Sequence, residues 1–137
     1  MDNARIEIEV EFTVRDYECD MDRFVNNAVY LNYLEHTRHE LLKRIGINFK
    51  NLSNQGFSLV VTRIEADYRA SLISDDCFYI RTSIIRKGRV RLIFKQEIFR
   101  KLDKLLILNA TVTGTALNSR GRPEIPIEVN QAINSIN

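Results

Sequence analysis

The sequence has few of the residues that mark specialised classes of protein. It contains no tryptophan, two prolines and two cysteines, and its formal net charge is only +2. No apolar run approaches the ~18 residues of a membrane span, and the dispersed lysines and arginines do not indicate a nucleic-acid partner. Because the N-terminus has no signal-peptide pattern, the cysteines are expected to be free thiols of a cytoplasmic protein. The length suits one domain over residues 1–137.

Histidine is also scarce, and this limits the chemistry that the chain can perform. The two histidines, His36 and His39, lie three residues apart and lack the third ligand and the carboxylate order of a metal motif. Cys19 has no histidine nearby in sequence to activate its thiol. The sequence therefore predicts neither a metal nor another cofactor.

Hydrophobic periodicity predicts one strand, then one long helix, then four more strands. Residues 6–14 alternate apolar and polar side chains, as a half-buried strand does. From about Asn27 the apolar residues recur every three or four positions, which predicts a helix of roughly 18 residues. Asn26 or Asn27 is expected to cap its start, and Gly46 to end it. The later strands are predicted over 58–70, 77–85, 89–100 and 105–117.

The remaining segments are predicted to be irregular, and the order of elements then limits the fold. Residues 48–56 read as a polar loop, and the tail after residue 117 as irregular chain or a frayed helical turn. One helix can bury a broad apolar stripe against five antiparallel strands only if the sheet curls around it. We therefore predict an α+β fold with a five-stranded antiparallel sheet wrapped around one long central helix. Edge strands of such a sheet invite pairing with a second subunit.

The stretch between the first strand and the helix brings carboxylates close to a helix N-terminus. A carboxylate can act as general base or nucleophile, and the first N–H groups of a helix can hold a developing negative charge. The acids and helix-start residues concerned are Glu18, Asp20, Asp22, Asn26, Asn27 and Ala28. Simpler roles stay open, because asparagines commonly cap helices and an aspartate commonly bonds its own turn.

Five short motifs carry a family resemblance. They are "VRDYECD" (14–20), "VNNAVYLNY" (25–33), "RHE" (38–40), "IEADYRA" (64–70) and "FKQEIF" (94–99). With the order of elements, they resemble the hotdog-fold thioesterases of the 4-hydroxybenzoyl-CoA thioesterase family over about residues 5–125. Within that family the likeness is greatest to the plant and cyanobacterial acyl-carrier-protein and acyl-lipid thioesterases.

The resemblance implies an enzyme that hydrolyses a fatty or β-ketoacyl thioester carried by acyl carrier protein or coenzyme A. It implies that Asp20 is the catalytic carboxylate, in a homodimer or homotetramer whose sites are built from two chains. At the helix start we expect a side chain or an N–H group of Asn26 or Asn27 to hold the thioester oxygen. Two alternatives remain. The substrate could be an aromatic coenzyme A thioester of the hydroxybenzoyl or naphthoyl type, or the domain could bind thioesters or a carrier protein without catalysis.

The chain departs from the resembling sequences at the turn before the helix. Arg23 and Phe24 stand where many of them carry glycine or histidine. A mechanism that needs this histidine is therefore not available here.

Two groups of residues are predicted to contact the substrate. The first follows the helix start and should line an apolar channel between helix and sheet, although the pattern favours a core or dimer-interface role for Tyr30. This group comprises Ala28, Tyr30, Leu31 and Leu34, with Leu59, Val61 and Ile64 on the sheet. The second is Arg86 and Arg89, which could contact coenzyme A phosphates or an acidic carrier protein, or simply lie in a solvated turn.

Overall fold

The computed structural model describes residues 6–134 and places them in five strands and three α-helices. The elements are β1 (Ile6–Thr13), a 3-10 turn (Asp16–Glu18), α1 (Asn27–Arg44), α2 (Phe49–Asn54), β2 (Ser58–Tyr68), β3 (Cys77–Lys87), β4 (Arg91–Arg100), β5 (Leu106–Leu117) and α3 (Ile127–Asn134). All strand pairs are antiparallel, in the order β1-β3-β4-β5-β2. The predicted α+β fold, with one long helix on a five-stranded antiparallel sheet, is confirmed.

The long helix begins and ends where the sequence predicts. Asn26 is the N-cap, and its side-chain oxygen accepts a hydrogen bond from the Ala28 N–H at 2.9 Å. At the other end Gly46 takes φ +94° and donates its N–H to the Lys43 carbonyl at 3.0 Å. Glycine adopts this left-handed conformation without the steric cost of a Cβ.

The predicted loop over residues 48–56 is wrong, because α2 lies within it. Asn48 caps this helix by accepting from the Asn51 N–H at 3.1 Å, and Leu52 is buried. The tail likewise forms more than a frayed turn, since α3 has eight residues and buries Val129 and Ile133. α2 has only six residues, too few to show a hydrophobic period, so tertiary burial of Leu52 decides it. α3 does place Val129 and Ile133 four positions apart on one buried face.

Two apolar clusters lie along α1. The first half of the helix packs with Leu72, Phe78, Ile80, Ile98, Ile107 and Leu108. The second half packs with Ile84, Leu92, Phe94, Val112, Val129 and Ile133. A layer of buried polar residues separates the clusters, comprising Thr37, Arg38, Thr82 and Gln96.

The sheet is covered unevenly. α1 contacts β3 and β1, and α3 contacts β3. At the opposite edge β2 has β5 as its one strand partner among the described residues, and none of the β2 residues is buried. This half-covered edge leaves a groove beside α1.

Candidate functional site

A short hairpin between the 3-10 turn and α1 carries Asp20. Cys19 and Val25 form an antiparallel bridge, and the Asp20 N–H donates to the Phe24 carbonyl at 2.9 Å. At the tip Arg23 adopts φ +71°, in the left-handed region that favours glycine. This backbone conformation is a physical reason for the glycine that many resembling sequences carry around this turn.

The Asp20 carboxylate is exposed and only partly engaged. Its Oδ1 accepts a hydrogen bond from the Asp22 N–H at 3.0 Å, so Asp20 does bond its own turn. Among residues 6–134, no group donates to its other oxygen. The side chain lines a surface cavity together with Cys19, Phe24 and Ile73. The second carboxylate oxygen of Asp20 is therefore available, either to take a proton as a base or to attack a carbon atom as a nucleophile.

Glu18, the neighbouring acid, is occupied by structural contacts. One of its carboxylate oxygens accepts from the Arg15 N–H and from the Tyr33 hydroxyl, both at 2.8 Å. Its carbonyl accepts from the Asn26 N–H at 3.1 Å. Burial and the hydrogen bond to Glu18 raise the pKa of Tyr33. Glu18 therefore ties the start of α1 to the Asp20 hairpin.

The N–H of Asn27, at the helix start, has no acceptor among residues 6–134. The side-chain oxygen of Asn26 accepts from Ala28, and its carbonyl accepts from Val29 at 2.9 Å. Nothing in the described part of the chain accepts from the Asn27 N–H, and the Asn27 carbonyl accepts from the Tyr68 hydroxyl at 3.2 Å. Asn26 thus has a capping role, while the Asn27 N–H is free at the positive end of the helix dipole.

The residues predicted to line an acyl channel fall into two environments. Tyr30 and Leu34 are 2% and 0% exposed in the core, and the Tyr30 hydroxyl accepts from the Leu72 N–H at 2.9 Å. Burial raises the pKa of Tyr30. Ala28 is exposed and Leu31 half-buried. Tyr30 and Leu34 therefore pack in the core and do not reach the surface of one protomer.

The turn that joins β3 to β4, with Arg89 in it and Arg86 beside it at the end of β3, lies far from Asp20 within one protomer. It follows β3, which has 11 residues, whereas the Asp20 hairpin packs near the beginning of that strand. At about 3.3 Å per residue the two ends of β3 are roughly 30 Å apart. Arg86 donates to the Asn130 side chain at 3.0 Å, and Arg89 is exposed in the turn.

A groove with a volume of about 330 Å³ lies between α1, α2 and the β2 side of the sheet. Its apolar lining residues are Leu42, Phe49, Leu52, Phe57, Leu59, Val60, Val61, Leu92 and Phe94. Its polar lining includes Glu35, Arg38 and His39, and His39 stacks on Phe49 with ring centroids 5.1 Å apart. The structure thus brings Leu59 and Val61, as predicted, to an apolar depression, whereas Ile64 lies outside it.

Arg38 and Gln96 form a buried polar pair that the sequence analysis missed. An Arg38 nitrogen donates to the Gln96 side-chain oxygen at 3.1 Å, and Gln96 is fully buried. The Gln96 amide in turn donates to the Leu34 carbonyl at 3.0 Å and the Thr82 hydroxyl at 2.9 Å. Burial lowers the pKa of Arg38, and the charge of Glu35 opposes that shift. One signal could have revealed the pair: Gln96 interrupts the apolar face of its strand.

No metal or membrane-spanning feature appears in the described chain. Among residues 6–134, no group of three or more His, Cys, Asp or Glu is placed to hold a metal ion. None of the helices in that range combines the length and the hydropathy that crossing a bilayer requires.

A long helix on an antiparallel sheet, with an aspartate hairpin at the helix start, is the arrangement expected of a hotdog-fold protein. The family model described as the thioesterase-like superfamily matches residues 14–133. The chain therefore belongs to the thioesterase-like superfamily. The predicted hotdog fold is confirmed by the crystal structure of Slr0204 from Synechocystis, a 1,4-dihydroxy-2-naphthoyl-CoA thioesterase. That structure matches with a TM-score of 0.85 at 18% identity, over 93% of this chain and 95% of that one.

Two relatives of known name are similar in sequence. ATL2, a chloroplastic acyl-acyl carrier protein thioesterase of Arabidopsis thaliana, is 40% identical over 115 residues, which are 84% of this chain and 61% of that protein. FadM, a long-chain acyl-CoA thioesterase of Escherichia coli (strain K12), is 23% identical over 88% of this chain and 91% of that protein. The chain thus spans about three fifths of the Arabidopsis relatives that it matches.

Proposed function

We propose that this protein is a thioester hydrolase that acts on acyl groups carried by acyl carrier protein or coenzyme A. Membership of the thioesterase-like superfamily supports the reaction class. The observation that carries the proposal is the attachment of the Asp20 hairpin to the start of α1. This attachment consists of the Cys19–Val25 bridge and the hydrogen bond from the Asn26 N–H to the Glu18 carbonyl. A carboxylate and a free helix N–H are thereby held on adjacent segments.

In the proposed mechanism Asp20 supplies the base and Asn27 supplies the oxyanion donor. The open Asp20 oxygen takes a proton from a water molecule as the water oxygen bonds to the thioester carbon. The Asn27 N–H donates to the carbonyl oxygen as it becomes negative. Collapse of the tetrahedral intermediate breaks the carbon–sulfur bond, and Asp20 returns its proton to the departing thiolate, which leaves as the thiol. Direct attack by the Asp20 carboxylate is the second route and would form an anhydride that water then hydrolyses.

We propose that the active form is at least a homodimer paired through β2. The edge of β2 that faces away from β5 has no strand partner within the described residues. The strand also exposes large apolar side chains on its faces. Val61, Ile64 and Tyr68 are 46%, 41% and 47% exposed. Such an edge is suited to pairing with a second copy of itself. Arg86 and Arg89 could reach a substrate held by Asp20 only from a second subunit, because they lie far from Asp20 in one protomer.

We propose an aliphatic acyl group as the substrate. The apolar groove beside α1 supports this choice, because side chains of leucine, valine and phenylalanine form most of its wall. The names of the Arabidopsis and E. coli relatives support a carrier protein or coenzyme A as the other half of the thioester. The likeness to Slr0204 is one of fold, so an aromatic substrate is the competing outcome of the substrate test.

A thiol-release assay on a matched panel tests the proposed function. The panel contains aliphatic thioesters of several lengths on coenzyme A and on acyl carrier protein, with hydroxybenzoyl- and naphthoyl-coenzyme A as aromatic members. We expect turnover of aliphatic members that exceeds turnover of both aromatic members. Turnover of the aromatic members alone would contradict the proposed substrate. No turnover, with retained binding of the thioesters, would identify a non-catalytic binding module.

The location of the protein stays a prediction. We propose the cytoplasm, whereas two plant relatives are named as chloroplastic. Fractionation of the native host, with detection of this chain, distinguishes the compartments.

A further inference from the structure

Arg38 is a buried positive charge without an ion-pair partner. Its side chain is on α1, and the residue is only 8% exposed. No carboxylate of residues 6–134 lies within salt-bridge distance of its guanidinium. Glu35 on the same helix acts on it through space but is itself exposed. A buried charge is costly unless an opposite charge or hydrogen bonds compensate for it.

The guanidinium is held in place while most of its donors remain unused. One nitrogen donates to the Gln96 side-chain oxygen, and Gln96 is itself fixed by bonds to the Leu34 carbonyl and the Thr82 hydroxyl. An arginine carries five N–H donors. The described chain supplies no acceptor for the rest, and Arg38 lines the groove beside α1. The unused donors therefore face the space in which a ligand would lie.

The wall opposite Arg38 is apolar. Phe49 and Leu52 of α2, Phe57 in the following turn and Leu59 of β2 line the same groove. Its volume of about 330 Å³ falls within the range of small-molecule sites, about 300–1,000 Å³. The other titratable groups that line it are Glu35 and His39, and both are exposed. The enclosed part of the groove thus combines a cation with an alkyl-sized apolar surface.

We propose that this groove binds the anion of a medium-chain fatty acid, with the carboxylate on the Arg38 guanidinium and the chain against Phe49, Leu52 and Phe57. A planar carboxylate matches the guanidinium fork and can accept two parallel hydrogen bonds. Binding itself does not depend on catalysis. Under the proposed function the same anion is the product of hydrolysis. Its carboxylate forms at Asp20, so binding in this orientation follows release and would compete with the acyl chain of the substrate for the groove.

Equilibrium binding to the wild-type protein at its native oligomeric state tests this site with three probes. Decanoate supplies anion and chain, decanol supplies the chain alone, and acetate supplies the anion alone. We expect decanoate to bind at least about tenfold more tightly than decanol. Of the two, only decanoate offers a charged acceptor for hydrogen bonds from the Arg38 guanidinium. We expect acetate not to bind measurably. Equal affinities for decanoate and decanol, or no binding of decanoate, would overturn the proposal without any variant.

Two variants assign the preference to one side chain. Arg38→Gln removes the charge and should abolish the preference for decanoate over decanol. Arg44→Gln removes an exposed charge from the last turn of the same helix and should leave the preference unchanged. A preference that survives in Arg38→Gln would contradict the assignment. Weaker dimerisation of Arg38→Gln, with no decanoate binding to the wild type, would identify a second copy as the occupant and overturn the proposal.

Failure of this site and failure of the proposed function give different results. Thiol release with no decanoate binding would reject only the fatty-acid site. Decanoate binding with no thiol release from any acyl thioester would reject the proposed function and leave the site in place.

Discussion

The two halves of α1 meet the rest of the protein in different ways. The first half packs aromatic rings, with Tyr33 and Phe78 centroids 4.8 Å apart and Tyr30 and Tyr33 at 6.2 Å, and both tyrosine hydroxyls are hydrogen-bonded. The second half, beginning at Arg38, lines an open groove, and its one buried charge has no ion pair in the described chain. One continuous helix thus has a closed half and an open half.

The difference indicates that the two halves of the helix have different roles. In the closed half the polar groups bind each other and hold the Asp20 hairpin against the helix start. In the open half apolar walls and unused donors remain available to a ligand. Substitutions of similar size in the two halves test this division, because the replaced side chains differ in their surroundings.

The largest effect on stability is expected from truncation in the closed half. Leu34→Ala should lower the free energy of unfolding by about 2–5 kcal/mol, because Leu34 is fully buried and a cavity would remain. Leu59→Ala, on the half-buried wall of the groove, should cost only about 1 kcal/mol or less. Urea unfolding of both variants measures the difference. Equal losses would show that a ligand or a second subunit closes the groove in solution.

Removal of the free N–H at the helix start should lower the rate and leave the fold intact. Asn27→Pro deletes this donor at the first helical position, where proline is well tolerated. Asn26, with φ −63° and ψ 140°, already has the extended backbone that precedes proline. We expect kcat to fall about 10²–10³-fold, while Asn27→Ala, which keeps the N–H, stays near wild type. Thiol-release kinetics measure both, and equal kcat values for the two variants would exclude this oxyanion donor.

Loss of the Tyr33 hydroxyl should loosen the hairpin attachment. Tyr33→Phe removes a hydrogen bond to the Glu18 carboxylate and should cost about 1.5–3 kcal/mol of unfolding free energy. Tyr79→Phe is the control, because Tyr79 stacks on Phe99 and its hydroxyl has no hydrogen-bond partner in the described range. Denaturant titration compares them. A loss below about 0.5 kcal/mol in Tyr33→Phe would argue against an attachment through Glu18, since typical hydrogen bonds contribute at least that much.

The smallest effect is expected at the helix cap. Asn26→Ala removes the acceptor for the Ala28 N–H and should cost about 0.5–2 kcal/mol. Asn26→Asp keeps a side-chain acceptor and should stay close to wild type. Thermal unfolding monitored by circular dichroism separates them. If Asn26→Ala instead lowers kcat far more than stability, Asn26 contributes to the chemistry beyond capping.

The closed half could be predicted from the sequence, because its signals are local. The helix has a long hydrophobic period, Asn26 stands next to its start, and the hairpin motif lies immediately before it. The packing of this half could not be read in the same way. The helical pattern of Tyr30 and Leu34 fits a channel wall and a core equally well. The two residues are in the core because they pack against the sheet.

The open half could not be predicted, because its features are tertiary. Arg38 and Gln96 are 58 residues apart in sequence, so no local pattern joins them. α2 has six residues, too few for a period to appear. The wall that α2 contributes to the groove therefore cannot be predicted from the sequence. The single domain over residues 1–137 and the roles of the site residues stay predictions.

The most direct test of the proposed catalysis is the turnover of Asp20→Asn on the best acyl thioester, compared with Asp22→Asn. Asparagine keeps the oxygen that accepts from the Asp22 N–H, so the turn survives while the base is lost. We predict that Asp20→Asn lowers kcat by about 10²-fold or more with unchanged unfolding, and that Asp22→Asn stays within about twofold. A kcat for Asp20→Asn within a few-fold of wild type would contradict a catalytic role for this carboxylate.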